Sequence, residues 1–101
     1  MIVADLSIIP IGVGESISKF VKLAVEELKN SGLKVEVNAM STVIEAKDVE
    51  SLFKAIQRAR EAVFKMGVKR IYTIVRIDEK RDGELSIKGK VSAIEDCKKF
   101  K

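Results

Sequence analysis

The sequence predicts an α+β fold: one antiparallel sheet of four strands, two amphipathic helices on one side of it, and a short helix after the last strand. Three observations carry this. Two extended runs, about Lys34–Asn38 and about Thr42–Ala46, follow each other with only Ala39–Met40–Ser41 between them. A helical stripe precedes this pair and a second stripe follows it. Strand-like alternation opens the chain and returns after the second stripe, so the order is β-α-β-β-α-β and then α.

Each element has a local reason. Ile2–Ile9 sets Ile2, Ala4, Leu6 and Ile8 on one face and Val3, Asp5, Ser7 and Ile9 on the other. Pro10 and Gly12 are expected to stop it. Ser16 is the expected N-cap of the first helix, its hydroxyl accepting a free amide proton of the first turn. Ile17, Phe20, Val21, Ala24 and Leu28 form the buried stripe, and Gly32 closes the helix in the left-handed conformation. In the paired runs Val35, Val37 and Ile44 are expected to face the helices, with Glu36, Asn38, Val43 and Glu45 on the opposite face. Asp48 caps a second helix with the stripe Val49, Leu52, Phe53, Ile56, Ala59 and Val63, ending at Met66-Gly67. Lys69–Asp78 reads as the longest strand, with Ile71, Thr73, Val75 and Ile77 on one face and Tyr72, Ile74 and Arg76 on the other. After a charged turn, Ser86 caps a last helix carrying Ile87, Val91 and Ile94, where Gly89 costs about 1 kcal/mol relative to alanine.

This is the split-βαβ, ferredoxin-like pattern. Right-handed crossovers give strand order 4-1-3-2 with both main helices on one face. The helix-free face then combines Val3, Ile9, Val43, Tyr72 and Ile74 with Asp5, Ser7, Glu36, Asn38, Glu45 and Arg76. A face of this mixed character marks a subunit interface or a ligand cleft. Two copies are expected to stack sheet on sheet, with the terminal helix or the outer strands joining pairs into a tetramer.

Composition narrows the function. With 101 residues the chain makes one domain, 1–101. No apolar run approaches the ~20 residues that cross a bilayer, and MIVADLSIIP lacks a basic segment and a cleavage site, so neither membrane nor export is expected. The lone Cys97, expected half-buried on the last helix, has no internal disulfide partner, which fits the cytoplasm. The chain has no histidine, which removes Ser-His-Asp and Cys-His catalysis and His-based zinc sites. No catalytic residue, metal site or cofactor is expected. The net charge of +4 is mild and its acidic and basic residues are interleaved. RNA-binding domains of this topology stack bases on aromatics of the two central strands, and those strands contain none here, so no nucleic acid is expected. The PIGVGES stretch places glycines ahead of a helix but matches neither a P-loop nor a dinucleotide fingerprint. The densest group of uncommitted polar side chains is Asn38, Ser41, Thr42 and Glu45, so a pocket is expected at the hairpin.

The runs LSIIPIGVGESISKFV, AMSTVIEAKD and RIYTIVRIDEKRDGELSIKGKVSAIE together resemble the small thiamine-binding protein family, related to the YkoF thiamine-binding domains. The resemblance spans nearly the whole chain and is close to the archaeal members. It implies a ferredoxin-like fold, dimers that pair into tetramers, and binding of thiamine or its hydroxymethylpyrimidine moiety without a reaction. Where the family's hairpin reads Pro-Met-Gly-Thr, two residues, then Glu-Gly, this chain matches at Met40, Thr42 and Glu45. It has Ala39, Ser41 and Ala46 in place of the proline and the two glycines. Pro10, Gly12, Ser16, Ser18, Gly32, Arg81, Lys90 and Val91 match as well. The resemblance thus implies a ligand site of Asn38, Met40, Ser41, Thr42 and Glu45, with Ser16 and Ser18. In it Glu45 would meet the exocyclic amine or the ring charge, Asn38 and Thr42 would supply a donor and an acceptor, and Met40 or Tyr72 an apolar wall. A regulatory domain sensing another small metabolite is the alternative reading.

Overall fold

β1, Ile2–Ile11, is the spine of the molecule. In the computed structural model, which describes residues 1–96, it is followed by α1 (Ser18–Asn30), β2 (Lys34–Val37), β3 (Thr42–Ala46), α2 (Val49–Phe64), β4 (Arg70–Glu79) and α3 (Ile87–Glu95). The antiparallel sheet has the order β2-β3-β1-β4, the expected 4-1-3-2 read from the other edge. The expected position of Cys97 lies outside the described residues.

The alternation in β1 is realised strictly. Ile2, Ala4, Leu6, Ile8 and Pro10 are buried and the residues between them are half-buried. Ile2, Leu28, Ile44, Leu52 and Val63 form the fully enclosed centre, packed between the sheet and the two long helices. Asp48 caps α2 as expected, its Oδ1 accepting from Ser51 N at 2.7 Å. Gly32 and Gly67 take φ of 85° and 94° just past α1 and α2, a region that carries no penalty without a Cβ.

Four expectations need correction. β1 runs through Pro10 to Ile11. It pairs with β4 over its whole length, but with β3 only from Ile2 to Leu6, and a proline is tolerated on a strand with an open edge. Ser16 does not cap α1. The helix begins at Ser18 with Ile17 at the N-cap and no side-chain cap, because Ile17 is drawn onto the core and sets the entry angle. Phe53 is 48% exposed. The buried stripe of α2 is Leu52, Ala55, Ile56, Ala59 and Val63, and Phe53 falls on its flank. Finally, the helix-free face is not wholly bare, because α3 docks across one end of it.

That docking is polar as well as apolar. Ile87 is buried, its N–H donates to Glu45 Oε1 at 2.6 Å, and Lys90 Nζ donates to Asp78 Oδ2 at 2.6 Å. Gly89 has a specific role. Its N–H donates to the capping Ser86 Oγ at 2.9 Å, and a Cβ there would stand 2.8 Å from that oxygen. Val91 and Ile94, farther along α3, are 48% and 71% exposed.

The layering makes a direct prediction. Leu52→Ala empties a fully enclosed position and should cost about 3 kcal/mol, read as a lower denaturant midpoint at unchanged slope. Ile94→Ala should stay within about 0.5 kcal/mol of the parent.

Candidate functional site

The sheet has a step in it. β3 ends its pairing with β1 at Thr42↔Leu6, while β1 continues beside β4 to Ile11↔Arg70. Beyond Leu6 the β3-facing edge of β1 therefore has no strand beside it. The hairpin turn fills part of that space, closed by Asn38 N–H donating to the Ser41 carbonyl at 2.9 Å. No non-glycine residue among those described has positive φ, so Ser41 is accommodated without strain.

What remains is a cleft of about 210 Å³ between the β1 edge, the turn and α1. Leu6, Ser7, Ile8 and Ile9 supply one wall, Val37 to Thr42 the second, and Ile17, Val21, Ala24, Val25 and Leu28 the third. None of these residues carries an ionisable side chain. Thr42 is buried, and Met40 projects at the rim, 90% exposed.

The cleft thus gathers four of the seven expected site residues: Asn38, Met40, Ser41 and Thr42. Glu45 is not with them. In β3, Thr42, Ile44 and Ala46 point to the helices, so Glu45 points to the opposite face, where it caps α3. Ser16 and Ser18 are exposed and flank Ile17, the residue of that segment that does line the cleft. Sequence reading missed the contributions of β1 and α1. The available signal was the mismatch between a long first strand and a five-residue third one.

The turn is tied to the other face of the sheet. Ser7 Oγ donates to the Met40 carbonyl at 3.4 Å, and Ser41 Oγ donates to Asp5 Oδ2 at 3.4 Å. Asp5 is in turn gripped by Arg76, with Nε to Oδ1 at 3.0 Å and a second contact from Nη2 to Oδ2. Hydrogen bonding from Arg76 holds the Asp5 carboxyl below its ordinary range, against partial burial, and the same contact raises Arg76. A second, shallower groove of about 420 Å³ lies on this face. Its charged residues are already matched, Asp5 with Arg76 and Asp78 with Lys90. Among the described residues no group of three or more His, Cys, Asp or Glu could hold a metal ion, and no helix is long and apolar enough to cross a membrane.

The family described as thiamine-binding protein matches residues 4–95. A UPF0045 protein of Methanocaldococcus jannaschii is 45% identical over 93 residues, covering 92% of this chain and 91% of its own. One from Methanothermobacter thermautotrophicus is 38% identical over 97 residues, covering 95% and 98%. A crystal structure of a hypothetical protein from Methanocaldococcus jannaschii superposes with a TM-score of 0.86 at 44% identity, covering 95% of this chain and 97% of that one. A Thermotoga maritima protein linked by its name to thiamine biosynthesis or salvage has a TM-score of 0.78 at 22% identity, covering 92% and 97%, a likeness of fold.

Two predictions come from this geometry. Glu45→Ala frees the Ile87 amide and should cost about 1 kcal/mol, lowering the melting temperature by about 4–8 °C without altering the cleft. The folded Asp5 carboxyl titrates below its unfolded value, so its contribution to stability is complete above about pH 3.9. It is lost as pH falls below that through the depressed folded value. Asp5→Asn should flatten the acid limb of a stability-against-pH curve in that window, and an unchanged limb would show that the pair contributes nothing.

Proposed function

The chain belongs to the thiamine-binding protein family, and from that premise we propose that it binds the pyrimidine moiety of thiamine, or free hydroxymethylpyrimidine, in the cleft at the step in the sheet. The observation that carries this reading is the lining, which is apolar and neutral polar throughout. Such a surface suits a flat, uncharged heteroaromatic ring and leaves the cationic thiazolium outside. Size supports the same division. Pockets for drug-sized ligands run to ~300–1,000 Å³, and this one, at about 210 Å³, suits one ring rather than two. The Asn38 amide, the Thr42 hydroxyl and the unpaired backbone edge of β1 supply donors and acceptors for an aminopyrimidine, with Met40 as a movable apolar cover.

The protein acts by binding and not by turnover. Acid–base chemistry needs a titratable group within hydrogen-bond reach of the ligand, and the lining offers none. It works as a homo-oligomer in the cytoplasm. Exposed Tyr72 and Ile74 on the uncovered end of the sheet support assembly, and a single cysteine suits a reducing compartment.

Thermal unfolding tests the reading. At 100-fold over its Kd a ligand adds about 2.7 kcal/mol, which for this size raises the midpoint by about 10 °C or more. Thiamine and hydroxymethylpyrimidine should both produce the shift, and the isolated thiazole alcohol should not. Asn38→Ala should remove most of it, while Glu45→Ala should leave it in place. A flat response to both pyrimidine compounds would falsify the assignment and point to a different small metabolite.

A further inference from the structure

In an antiparallel sheet, alternate residues of a strand turn their main-chain N–H and C=O to opposite neighbours. One end of β1 fixes which residues face which way. The Met1 amine donates to the Lys80 carbonyl at 2.9 Å, and the Met1 carbonyl accepts from Lys80 N–H at 3.0 Å. This pair continues the register of β1 with β4, so odd-numbered residues of β1 turn their main-chain groups toward β4. Even-numbered residues turn theirs toward β3. Leu6 meets Thr42 there, and that is the last pair. The next even residue is Ile8, so its N–H and C=O both point across the open edge into the cleft that it lines.

These two groups are left free for a structural reason. If β3 began two residues earlier, Met40 would stand opposite Ile8. The turn is instead drawn to the helix-free face, where Ser7 Oγ donates to the Met40 carbonyl at 3.4 Å. Among the described residues no main-chain group of the turns and loops bonds to the Ile8 N–H or C=O. Pro10, the even residue that follows, has no N–H to leave idle. The open edge therefore offers one donor and one acceptor side by side, in a half-enclosed place where an unmet main-chain pair is costly.

We infer that the Ile8 main chain is the recognition edge of the cleft, and that it selects 4-aminopyrimidines and fixes the way they lie. Ring nitrogen N3 accepts from Ile8 N–H, and the exocyclic amine donates to the Ile8 carbonyl. The inference rests on the binding assignment above and adds the ligand's class and direction. A strand presents a residue's N–H before its C=O in chain order, so the paired ring has one orientation. N3, with the C2 methyl beside it, falls on the Thr42 side, which the hairpin closes. The amine, with C5 beside it, falls on the Pro10 side, where the edge of β1 runs free to Ile11. The C5 arm, whose carbon bears the thiazolium in thiamine, leads out of the cleft. The class is thus 4-aminopyrimidines with a small C2 substituent and an extensible C5 arm. A ring without the amine leaves the Ile8 carbonyl unmet, and a site built to pair with an N–H rejects a ligand that lacks it.

Two measurements on the full chain test this. In the first, the affinity of the unaltered protein for hydroxymethylpyrimidine is compared with that for three relatives. Removing the amine should weaken binding about tenfold or more. Replacing the C2 methyl by butyl should weaken it comparably, by collision with the turn, whereas a butyl ether on the C5 arm should leave it nearly unchanged. In the second, semisynthesis replaces the Ile8 amide by an ester, which deletes the N–H and keeps the side chain. The β4 ladder loses no donor, because that N–H does not face β4. The ester chain should bind hydroxymethylpyrimidine about tenfold more weakly. Replacing N3 by CH in the ligand should then cost the ester chain little more, since donor and acceptor are one pair. If the ester chain does not fold, the ligand series decides alone. Undiminished binding by the ester chain, indifference to the amine, or a C2 butyl better tolerated than the C5 ether would each overturn the inference and leave the binding assignment intact. No binding by any of the pyrimidines would remove that assignment, and the inference with it.

Discussion

The structure depends on an inequality of length. β1 pairs with β4 over ten residues and with β3 over five. Had the hairpin been longer, β1 would be sandwiched throughout, Pro10 would leave a ladder position without its donor, and no cleft would exist beside α1. Because the hairpin turns at Asn38–Ser41, half of the central strand keeps an open edge inside the molecule. The first helix, entering through Ile17, roofs it.

The same turn connects the two faces of the sheet. Its Thr42 points into the helix layer, while Ser41 reaches the Asp5–Arg76 pair on the other side. Asp5 and Arg76 are opposed across β1 and β4, so the network runs from the cleft wall to the outer strand. The turn is thus tied by hydrogen bonds through Asp5 to Arg76 on the outer strand β4. The chain of contacts is short: a hydroxyl, a carboxylate and a guanidinium.

Much of this was legible in the residues. The four strands, the two long helices, the caps of α2 at Asp48 and of α3 at Ser86, and the strand order follow from periodicity, turn residues and the crossover rule, and the structure agrees. Ferredoxin-like topology and family membership agree as well. At Ser16, Pro10 and Phe53 tertiary placement overrides the local signal: Ile17 anchors the helix start, an open edge spares Pro10, and the buried stripe of α2 is centred one residue away from Phe53. Glu45 enters the expected site through the resemblance, while strand alternation sets it on the face opposite Thr42, where it accepts from Ile87 N–H. The α1 and β1 walls of the cleft look like ordinary core in the sequence, and only the mismatch in length between the first and third strands marks them.

The proposed site holds a neutral ring in the notch beside the turn and not next to Glu45. Amide chemical-shift mapping of the full chain with hydroxymethylpyrimidine tests it most directly. Saturable shifts are expected at Ser7, Ile8, Asn38 and Thr42, with Ile87 and Lys90 left in place. Shifts concentrated at Glu45, Ile87 and Lys90, with the notch silent, would contradict it and move the ligand to the α3 side of the sheet.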